Sequence, residues 1–342
     1  MTPVTAEPVQ RGTPSVLELP GASPRLQARL AEGLAAVNAL IAARVDSDDP
    51  FIAQAGSHLT AAGGKRFRPL LTLLAAELGD GIDERVVAAA TGVELTHLAS
   101  LYHDDVMDEA QVRRGASSAN AAYGNSTAIL VGDLLFGTAS DIVADLGPQA
   151  VKIQAQTFVR LCSGQIRDDR PCPPGTDPVD YYLGVLADKT GVLIATAARY
   201  GAMFGGCDAA TIETMREFGE LLGVAFQLAD DLIDIESEAD ETGKTPGTDL
   251  REGKRTLPVI HVLSSGDPAD DRLRTLLTGD LEDDARLAEA LGLLRGHRAM
   301  DLAREHTYAV ARQAQDVLTS LPGSDAKDAL SALATGVVTR VG

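Results

Sequence analysis

Two acidic motifs with the same spacing are the clearest sign of chemistry in this sequence. The first is Asp104-Asp105-Val106-Met107-Asp108, and the second is Asp230-Asp231-Leu232-Ile233-Asp234. Each ends a long apolar segment, Val86 to Met107 and Phe218 to Ile235, whose pattern predicts a buried helix. On a helix, the first and last aspartates of each motif lie four residues apart and share one face. The sequence therefore predicts two carboxylate clusters, each at the end of an apolar helix.

A single cluster of this kind is ordinarily a solvated helix face. Two identical clusters favour a bound cation, because carboxylates about 6 Å apart repel by roughly 3 kcal/mol at an effective dielectric near 20. Oxygen-only ligands suit Mg²⁺ before Ca²⁺ or Zn²⁺, and Mg²⁺ held by few carboxylates takes substrate phosphate oxygens at its other positions. The predicted ligand is a magnesium-bound phosphate.

Cationic residues lie close in sequence to the first motif. Gly63 to Pro69 is a glycine-containing turn with three cations, and it precedes a helix predicted from Leu70 to Leu78. The free backbone donors at a helix N-terminus attract anions. Arg113 and Arg114 follow the first motif within one short loop. Cations and carboxylates are therefore expected to share one site, although a cationic surface loop would look the same in sequence.

Polar residues also interrupt apolar helical segments farther along the chain. Lys189 and Thr190 would be costly to bury without partners, although Lys189 could extend to solvent instead. Gln227 lies one turn before Asp231. The loop from Thr242 to Lys254 is rich in Gly, Lys, Thr and Pro, and such a loop could fold over a diphosphate.

Composition and charge exclude several classes of function. The 342 residues carry a net charge of −19 and no basic stripe, which argues against nucleic acid as a partner. The three cysteines Cys162, Cys172 and Cys207 have no metal-binding spacing, so we expect reduced packing residues. The start does not resemble a signal peptide, and we expect no apolar segment to span a bilayer. These features predict a cytoplasmic enzyme.

The chain is predicted to contain one tail and one domain. Residues 1–23 are rich in proline, threonine and glutamate without an apolar period, which is typical of a disordered tail. Residues 24–342 are predicted to form a single all-α domain, beginning with helices at Pro24 to Val45 and Pro50 to Leu59. Asp49 is the predicted N-cap of the second helix.

The motifs, taken in order, resemble those of the trans-isoprenyl diphosphate synthases. The matching positions are Gly63 to Pro69, His97, Asp104 to Asp108, Arg113-Arg114, Lys189-Thr190, Phe226-Gln227 and Asp230 to Asp234. One such acidic motif is weak, but both in order with these cationic motifs are highly specific. The resemblance implies a single-domain helical bundle around a deep central cavity, usually dimeric. It also implies condensation of an allylic diphosphate with isopentenyl diphosphate, head to tail, with three Mg²⁺ per active site.

The resemblance also implies a role for each matching residue. Asp104, Asp108 and Asp230 would be the leading Mg²⁺ ligands, with Asp105, Asp231 and Asp234 as ligands or supporting partners. Arg113, Lys189, Lys244 and Lys254 would hold the allylic diphosphate, and Lys65, Arg68, His97 and Arg114 the isopentenyl diphosphate. Lys189, Thr190 and Gln227 would be the catalytic residues. Of these, Thr190 and Gln227 would offer oxygen dipoles to the allylic cation. The released diphosphate would take the proton.

Two positions before the first motif bear on product length. In the family that the chain resembles, the product grows along a hydrophobic tunnel, and the residue five positions before the motif often closes it. Ala99 has that position, next to Ser100, where short-chain synthases tend to have aromatic residues. We therefore expect a long-chain all-trans polyprenyl product for a quinone side chain, with a geranylgeranyl or farnesyl diphosphate synthase as the alternative. Ala99 could also be an ordinary packing alanine.

Three competing classes are weighed against this interpretation. A terpene cyclase would be expected to lack the Gly63 to Pro69 motif and the second acidic motif. A helical di-metal carboxylate protein needs two Glu-x-x-His units, and only Glu94-Leu95-Thr96-His97 occurs. A noncatalytic partner subunit of a heteromeric synthase typically lacks one or both acidic motifs.

Contact with a membrane during product release is a further expectation, although no amphipathic basic helix is found to anchor the chain.

Overall fold

The computed structural model describes residues 19–237 and 246–339, and these residues are almost entirely helical. The expected all-α fold is confirmed. In addition, two strands of two residues each form one antiparallel hairpin. Most of the predicted tail, and the first part of the loop that begins at Thr242, lie outside the described residues. Lys244, an expected ligand of the allylic diphosphate, is therefore also outside them.

The first half of the domain consists of helices and the hairpin. Its elements are α1 Pro24–Val45, α2 Pro50–Ala61, α3 Phe67–Ala76, α4 Glu84–Met107, β1 Val112–Arg113, β2 Ala116–Ser117, α5 Ala119–Tyr123 and α6 Asn125–Ala144. The second half begins with α7 Pro148–Asp168, α8 Pro178–Leu186, a π-helical turn Ala187–Gly191, α9 Val192–Phe204 and α10 Ala209–Glu236. After the gap follow α11 Thr248–Arg251, α12 Leu257–Leu263, a 3₁₀ turn Pro268–Asp270, α13 Asp271–Leu277, α14 Asp284–Arg295, α15 Arg298–Leu318 and α16 Asp325–Val338.

Local sequence explains most helix ends. The predicted first helix, Pro24–Val45, has those bounds. Asp49 caps α2 as predicted, because its carboxylate accepts hydrogen bonds from the backbone N–H groups of Phe51 and Ile52. The prediction for the third helix was three residues late, since α3 begins at Phe67. Arg66 precedes it with a left-handed φ of 48° and so marks the turn.

Helix α4 is at the centre of the molecule. One face, with Val86, Ala89 and Val93, joins the core shared with α3, α9 and α10, and the other, with Leu95 and Leu98, packs on α6. Because both faces are covered, the helix has exposed residues only at its ends, with Glu84 and Arg85 at its start and Met107 and Asp108 at the end that carries the acidic motif. The prediction of a helix buried on every side is confirmed.

Helix α6 differs from expectation in one respect. This 20-residue helix contains an 18-residue window with a mean hydropathy of 1.5, and by length and composition alone it could cross a membrane. The expectation that no apolar segment is long enough to span a bilayer is therefore wrong by length and composition. Core helices of soluble proteins pass the same test, and α6 packs closely along α4. Only 39% of the apolar window is buried, so part of its apolar surface is uncovered in this chain.

Candidate active site

The aspartates that begin and end the first motif lie at the end of α4, where Asp104 is partly buried and Asp108 is more exposed. Burial raises the pKa of Asp104 to about 6, and the charges of Asp108 and Asp105 add to the effect, whereas Lys189 and Arg113 oppose it. Asp108 caps the helix, and burial also raises its pKa against the opposing charges of nearby cations. Both carboxylates are thus in an environment that disfavours their charge and would favour an added cation.

Asp105 has a different environment, because it already binds the protein. It is fully buried and accepts hydrogen bonds from Nε of Arg113 over 2.6 Å and from the backbone N–H of Ala119 over 2.9 Å. The same guanidinium lies 3.8 Å from a carboxylate oxygen of Asp108. Asp105 therefore fixes the β1–β2 hairpin and holds Arg113 beside the motif.

The second motif, on α10, is divided in the same way. Asp231 is buried and accepts a hydrogen bond from the hydroxyl of Tyr182. Burial, together with the charges of Asp249 and Asp230, raises the pKa of Asp231 well above its usual range. Asp234 accepts from the backbone N–H groups of Thr248 over 3.2 Å and Asp249 over 3.1 Å. Asp234 thus holds the start of α11, and Asp230 is partly exposed.

Two lysines lie between the motifs. Lys189 donates to Asp168, the last residue of α7, over 2.6 Å, and its charge lowers the pKa of Asp104 and Asp108. Lys254 lies 2.6 Å from Glu252 and 3.4 Å from Asp249. Its charge lowers the pKa of Asp108 on α4 and of Asp231 on α10. The two acidic motifs therefore face a common space that Lys254 shares with both.

A π-helical turn presents Lys189 and Thr190. It spans Ala187–Gly191 between α8 and α9, and π turns inside α-helices are frequent at functional sites. Its backbone packs so closely on Gly164 of α7 that any Cβ there would overlap Lys189. The hydroxyl of Thr190 donates to Oε1 of Gln227 over 3.4 Å. The structure therefore brings Thr190 and Gln227 together, as the sequence interpretation requires.

A cluster of arginines surrounds His97 on the other side of α4. Burial, reinforced by the positive charges of Arg68 and Arg114, lowers the pKa of His97 well below its usual range, so the imidazole is neutral. Burial also lowers the pKa of Arg68 to about 10. Nε of Arg68 is buried and has no hydrogen-bond partner among the described residues. A buried donor without a partner is costly, so an anion is the natural complement of this cluster.

The neighbouring cations are held by the loop before α3. Arg114 has a left-handed φ of 54°, and its guanidinium donates to the carbonyl oxygens of Leu59 and Gly63. A Cβ on Gly64 would lie 2.8 Å from that guanidinium, which explains the glycine at this position. Lys65 is exposed at the edge of the cluster.

Among the described residues, no three Asp, Glu, His or Cys side chains converge closely enough to form a ready metal site. Asp104 and Asp108 nevertheless fit a bound Mg²⁺ in chemistry, since they are oxygen donors whose pKa values are raised by burial and, for Asp104, also by the charge of Asp108. Lys189 and Lys254 supply the positive charge beside them in this structure.

The two positions expected to govern product length lie one turn above the site. Ala99 is fully buried at the interface of α4 with α6, where a Cβ on Gly132 would be 3.2 Å from its carbonyl oxygen. Ser100 is partly exposed, and its hydroxyl donates to the carbonyl oxygen of His97 over 2.8 Å. The Ala99 methyl is therefore packed on one side, in agreement with its alternative interpretation as a packing residue, and Ser100 lies nearer the cationic cluster.

Four residues at the site were missed by sequence reasoning. They are Asp168, Tyr182, Asp188 and Asp249. Three of them bind residues that the sequence indicated, namely Lys189, Asp231 and Lys254, whereas Asp188 precedes Lys189 in the π-helical turn and pairs with Arg167 of α7. Asp249 lies inside the loop that was singled out from its composition, so a signal was available there. The other three give no such signal.

The family is decided by comparison with known proteins. Residues 49–294 match the family model described as polyprenyl synthetase, which is more than half of the chain. The chain belongs to the polyprenyl synthetase family. This confirms the resemblance noted in the sequence, and it makes the chain a prenyltransferase.

Similar members of the polyprenyl synthetase family cover nearly the whole chain. A nonaprenyl diphosphate synthase of Mycobacterium tuberculosis is 48% identical over 91% of this chain and 93% of its own length. A geranylgeranyl pyrophosphate synthase of Corynebacterium glutamicum, solved with calcium and isoprenyl diphosphate, has a TM-score of 0.84 at 44% identity, covering 94% of this chain and 98% of that one. A decaprenyl diphosphate synthase of Rhodobacter capsulatus has a TM-score of 0.85 at 35% identity, covering 93% and 99%. The polyprenyl synthetase fold therefore extends over the described helices, and these relatives' names span short and long products.

Proposed function

We propose that this chain is a Mg²⁺-dependent synthase of long-chain all-trans polyprenyl diphosphates, which extends an allylic diphosphate with isopentenyl diphosphate. The observation that carries the proposal is the placement of two differently built anion sites on either side of the end of α4. One has lysines among carboxylates, and the other has arginines around a neutral histidine. Asp104 contacts both electrostatically, since its charge raises the pKa of Arg68 and it interacts with Lys189.

The lysine side is suited to the allylic diphosphate. Lys189, Lys254 and Arg113 would bind its oxygens, with Lys244 as a fourth cation from outside the described residues. Asp104, Asp108 and Asp230 would hold Mg²⁺, with three ions in the site. Bound Mg²⁺ would neutralise the charge on the leaving diphosphate. Asp105, Asp231 and Asp234 would position the loops around them, in keeping with their protein contacts.

The arginine side is suited to isopentenyl diphosphate. Arg68 has a buried donor to offer, Arg114 is fixed beside it, and Lys65 lies at the exposed edge. Neutral His97 can donate one hydrogen bond to a phosphate oxygen without adding to the crowded positive charge. Guanidinium groups bind phosphate in a bidentate manner, which would fix the orientation of this substrate.

The chemistry follows from where these charges lie. As the allylic C–O bond breaks, negative charge grows on the diphosphate, and the fixed ammonium groups of Lys189 and Lys254 stabilise it. The oxygens of Thr190 and Gln227 face the allylic carbon cation as dipoles. The isopentenyl double bond then attacks the cation to form the new carbon–carbon bond, and the released diphosphate removes the proton that restores a double bond.

A long product is supported by the names of two relatives and by the small residue at position 99. The nonaprenyl synthase is 48% identical, and the decaprenyl synthase has the same fold. We infer that the product supplies a quinone side chain in the cytoplasm. The alternative is a geranylgeranyl diphosphate synthase, which the Corynebacterium structure favours at 44% identity.

We also propose a homodimer that covers the apolar faces of α6 and α7. Exposed apolar side chains on these helices are Ile129, Leu130, Leu134, Val151, Phe158, Val159 and Ile166. Adjoining exposed apolar residues in such number mark an interaction surface. A second copy is expected to bury them, and Leu130→Lys with Val159→Lys should then shift sedimentation from dimer to monomer. A dimer that persists in the double variant would show that the interface lies elsewhere on the chain. Vesicle flotation would then test whether this face contacts a membrane during product release.

The function is tested by incubating the purified single chain with labelled isopentenyl diphosphate and an allylic diphosphate, with Mg²⁺ or with EDTA. We expect label in acid-labile prenyl product only with Mg²⁺. No product from any allylic starter would contradict catalysis by this chain alone and would favour the noncatalytic partner subunit.

A further inference from the structure

The π-helical turn that presents Lys189 lies against one face of α7. That face includes Arg160, Gly164, Arg167 and Asp168, because the last three follow Arg160 by four, seven and eight residues. At Gly164 the helix and the turn are in such close contact that a Cβ would overlap the backbone of Lys189. Charged side chains on this face of α7 can therefore pair directly with those of the turn.

Two consecutive residues of the turn use opposite charges on this face. Asp188 accepts a hydrogen bond at Oδ1 from Nε of Arg160 over 2.8 Å and at Oδ2 from Nη1 of Arg167 over 3.0 Å. Lys189 donates to the carboxylate of Asp168 over 2.6 Å. The turn is thus bound to α7 by two arginines through Asp188 and by one aspartate through Lys189.

The contacts of Asp188 extend to α10 through Arg160. Nη2 of Arg160 donates to Oε1 of Glu220 on α10 over 2.7 Å. On the same helix, a Cβ on Gly223 would lie 2.6 Å from Cα of Gly191, the last residue of the turn. The turn therefore lies between α7 and α10, and Arg160 connects Asp188 with both helices.

Side-chain bonds of this kind are needed because the backbone of the turn is unusual. The N–H of Val192 donates to the carbonyl oxygen of Ala187, five residues earlier. Such π-helical backbone is rare, which indicates that it depends on the surrounding contacts. Close packing at Gly164 prevents the turn from moving toward α7, but it does not prevent movement away from α7. The ion pairs of Asp188 supply the attraction that opposes this movement.

Asp188 and Asp168 act on different parts of the turn. Asp168 binds the ammonium group of Lys189, so it competes with a diphosphate for that group. The ammonium carries three donors and can turn from a carboxylate to a phosphate. Both carboxylate oxygens of Asp188 are bound by arginines, so its side chain holds the turn rather than a metal ion or a substrate. Asp188 can therefore keep the turn in place while Lys189 exchanges partners.

We propose that Asp188 is a positioning residue for ionisation of the allylic diphosphate. By binding Arg160 and Arg167, it fixes the turn so that Lys189 stays directed at the leaving diphosphate. This inference rests on the proposed function, in which Lys189 binds that diphosphate. It gives a role in the reaction to a carboxylate that belongs to neither acidic motif.

The direct test is Asp188→Asn, which keeps the side-chain shape and removes the charge that binds the arginines. We expect kcat with farnesyl diphosphate to fall about 10-fold to 100-fold, because a small displacement of a group that binds the reacting diphosphate is enough for such a loss. KM for farnesyl diphosphate should rise, and KM for isopentenyl diphosphate should stay unchanged. Asp188→Glu keeps the carboxylate and should recover most of the activity. Equal changes in both KM values, without recovery in Asp188→Glu, would indicate general damage to the fold and would overturn the proposal.

A matched control is available on another pair of helices. Asp141 on α6 pairs with Arg44 of α1 over 2.9 Å, so Asp141→Asn removes an interhelical ion pair that involves neither α7 nor the turn. Its kinetics should equal those of the wild type. If Asp188→Asn does not fold, Arg167→Met removes one of the two partners of Asp188 and should give a smaller loss of kcat with the same KM pattern. Unchanged kinetics in folded Arg167→Met would then overturn the proposal.

A double-mutant cycle shows whether Asp188 acts through Lys189. In the Lys189→Met background, Asp188→Asn should cause little further loss of kcat, because the group that it positions is already absent. An equal loss in both backgrounds would overturn the proposal. So would a wild-type kcat in Asp188→Asn when kcat is low in Lys189→Met.

Failure of the proposed function would look different. It would show as no condensation by the wild-type chain, or as wild-type kinetics in Lys189→Met. Either result would remove the role of Lys189 and, with it, the role of Asp188.

Discussion

Arg66 and Arg68 are two residues apart, yet only Arg66 is satisfied by the protein. The guanidinium of Arg66 lies 2.9 Å from the buried carboxylate of Glu94 and also donates to Asn38 and Thr60. Nε of Arg68 is buried without a hydrogen-bond partner among the described residues. The first arginine therefore builds the loop, and the second is available for a substrate anion.

This difference predicts opposite effects of the same substitution. Arg68→Met should raise the free energy of unfolding by about 1 kcal/mol, because it removes an unsatisfied buried donor. It should also raise KM for isopentenyl diphosphate by about 30-fold, through loss of charge-assisted bonds worth about 2 kcal/mol. Arg66→Met should destabilise the fold by about 3 kcal/mol, since Glu94 loses its partner. Urea unfolding and steady-state kinetics measure both, and equal destabilisation by the two changes would contradict the assignment.

Substitution of the neighbouring residues Asp104 and Asp105 should have different effects, one on catalysis and the other on the stability of the fold. Asp104→Asn removes a carboxylate whose pKa is already raised to about 6, so the fold should keep its stability while kcat falls on the order of 10²-fold or more. Asp105→Asn breaks the buried pair with Arg113 and should lower the free energy of unfolding by about 2–3 kcal/mol. Thermal unfolding and kcat are measured for both variants. A stable Asp105→Asn protein would show that the hairpin does not depend on this carboxylate.

The neutral His97 predicts a pH dependence of stability. Its pKa is lowered in the folded state, so below its ordinary value of 6.5 the unfolded chain binds a proton that the folded protein does not. The contribution is present above pH 6.5 and is lost as pH falls, by up to about 1.4 kcal/mol per pH unit. His97→Gln lacks this term. The difference in free energy of unfolding between His97→Gln and the wild type should therefore grow in favour of the variant from pH 7 to pH 5, and a constant difference would mean that folding does not lower the pKa of His97.

Product length should respond to the residues above the first motif. Ala99→Tyr places a large side chain where the methyl is fully buried against α6, so we expect shorter products at some cost in stability. Ser100→Tyr is the companion variant, because Ser100 is partly exposed. The length distribution after dephosphorylation is compared with the wild type. If only Ser100→Tyr shortens the product, the determinant is the residue four positions before the motif, and Ala99 is a packing alanine.

How far the sequence predicts the structure depends on whether a feature is local. The apolar run before Asp104 predicts a buried helix, and Asp49 predicts a helix start, because both signals lie within one element. The pairing of Lys189 with Asp168, and of Tyr182 with Asp231, joins different helices and has no local signature. The π-helical turn likewise depends on close packing against Gly164.

The candidate site follows the same rule. The two acidic motifs have identical spacing, yet Asp105 and Asp231 bind the protein, whereas Asp104 and Asp108 lie beside the lysines. Residue type and spacing therefore identify the motifs, and only the tertiary contacts show which carboxylates bind the protein and which lie beside the lysines. The same holds for Arg66 and Arg68, which are equivalent in sequence and different in the fold.

The most direct test of the central claim is the length of the product. The purified chain is incubated with Mg²⁺, an excess of labelled isopentenyl diphosphate and, in separate reactions, geranyl, farnesyl or geranylgeranyl diphosphate, and the products are separated after dephosphorylation. We predict all-trans products well beyond C20 from at least one starter. Products that stop at C15 or C20 with every starter would contradict the long-chain assignment.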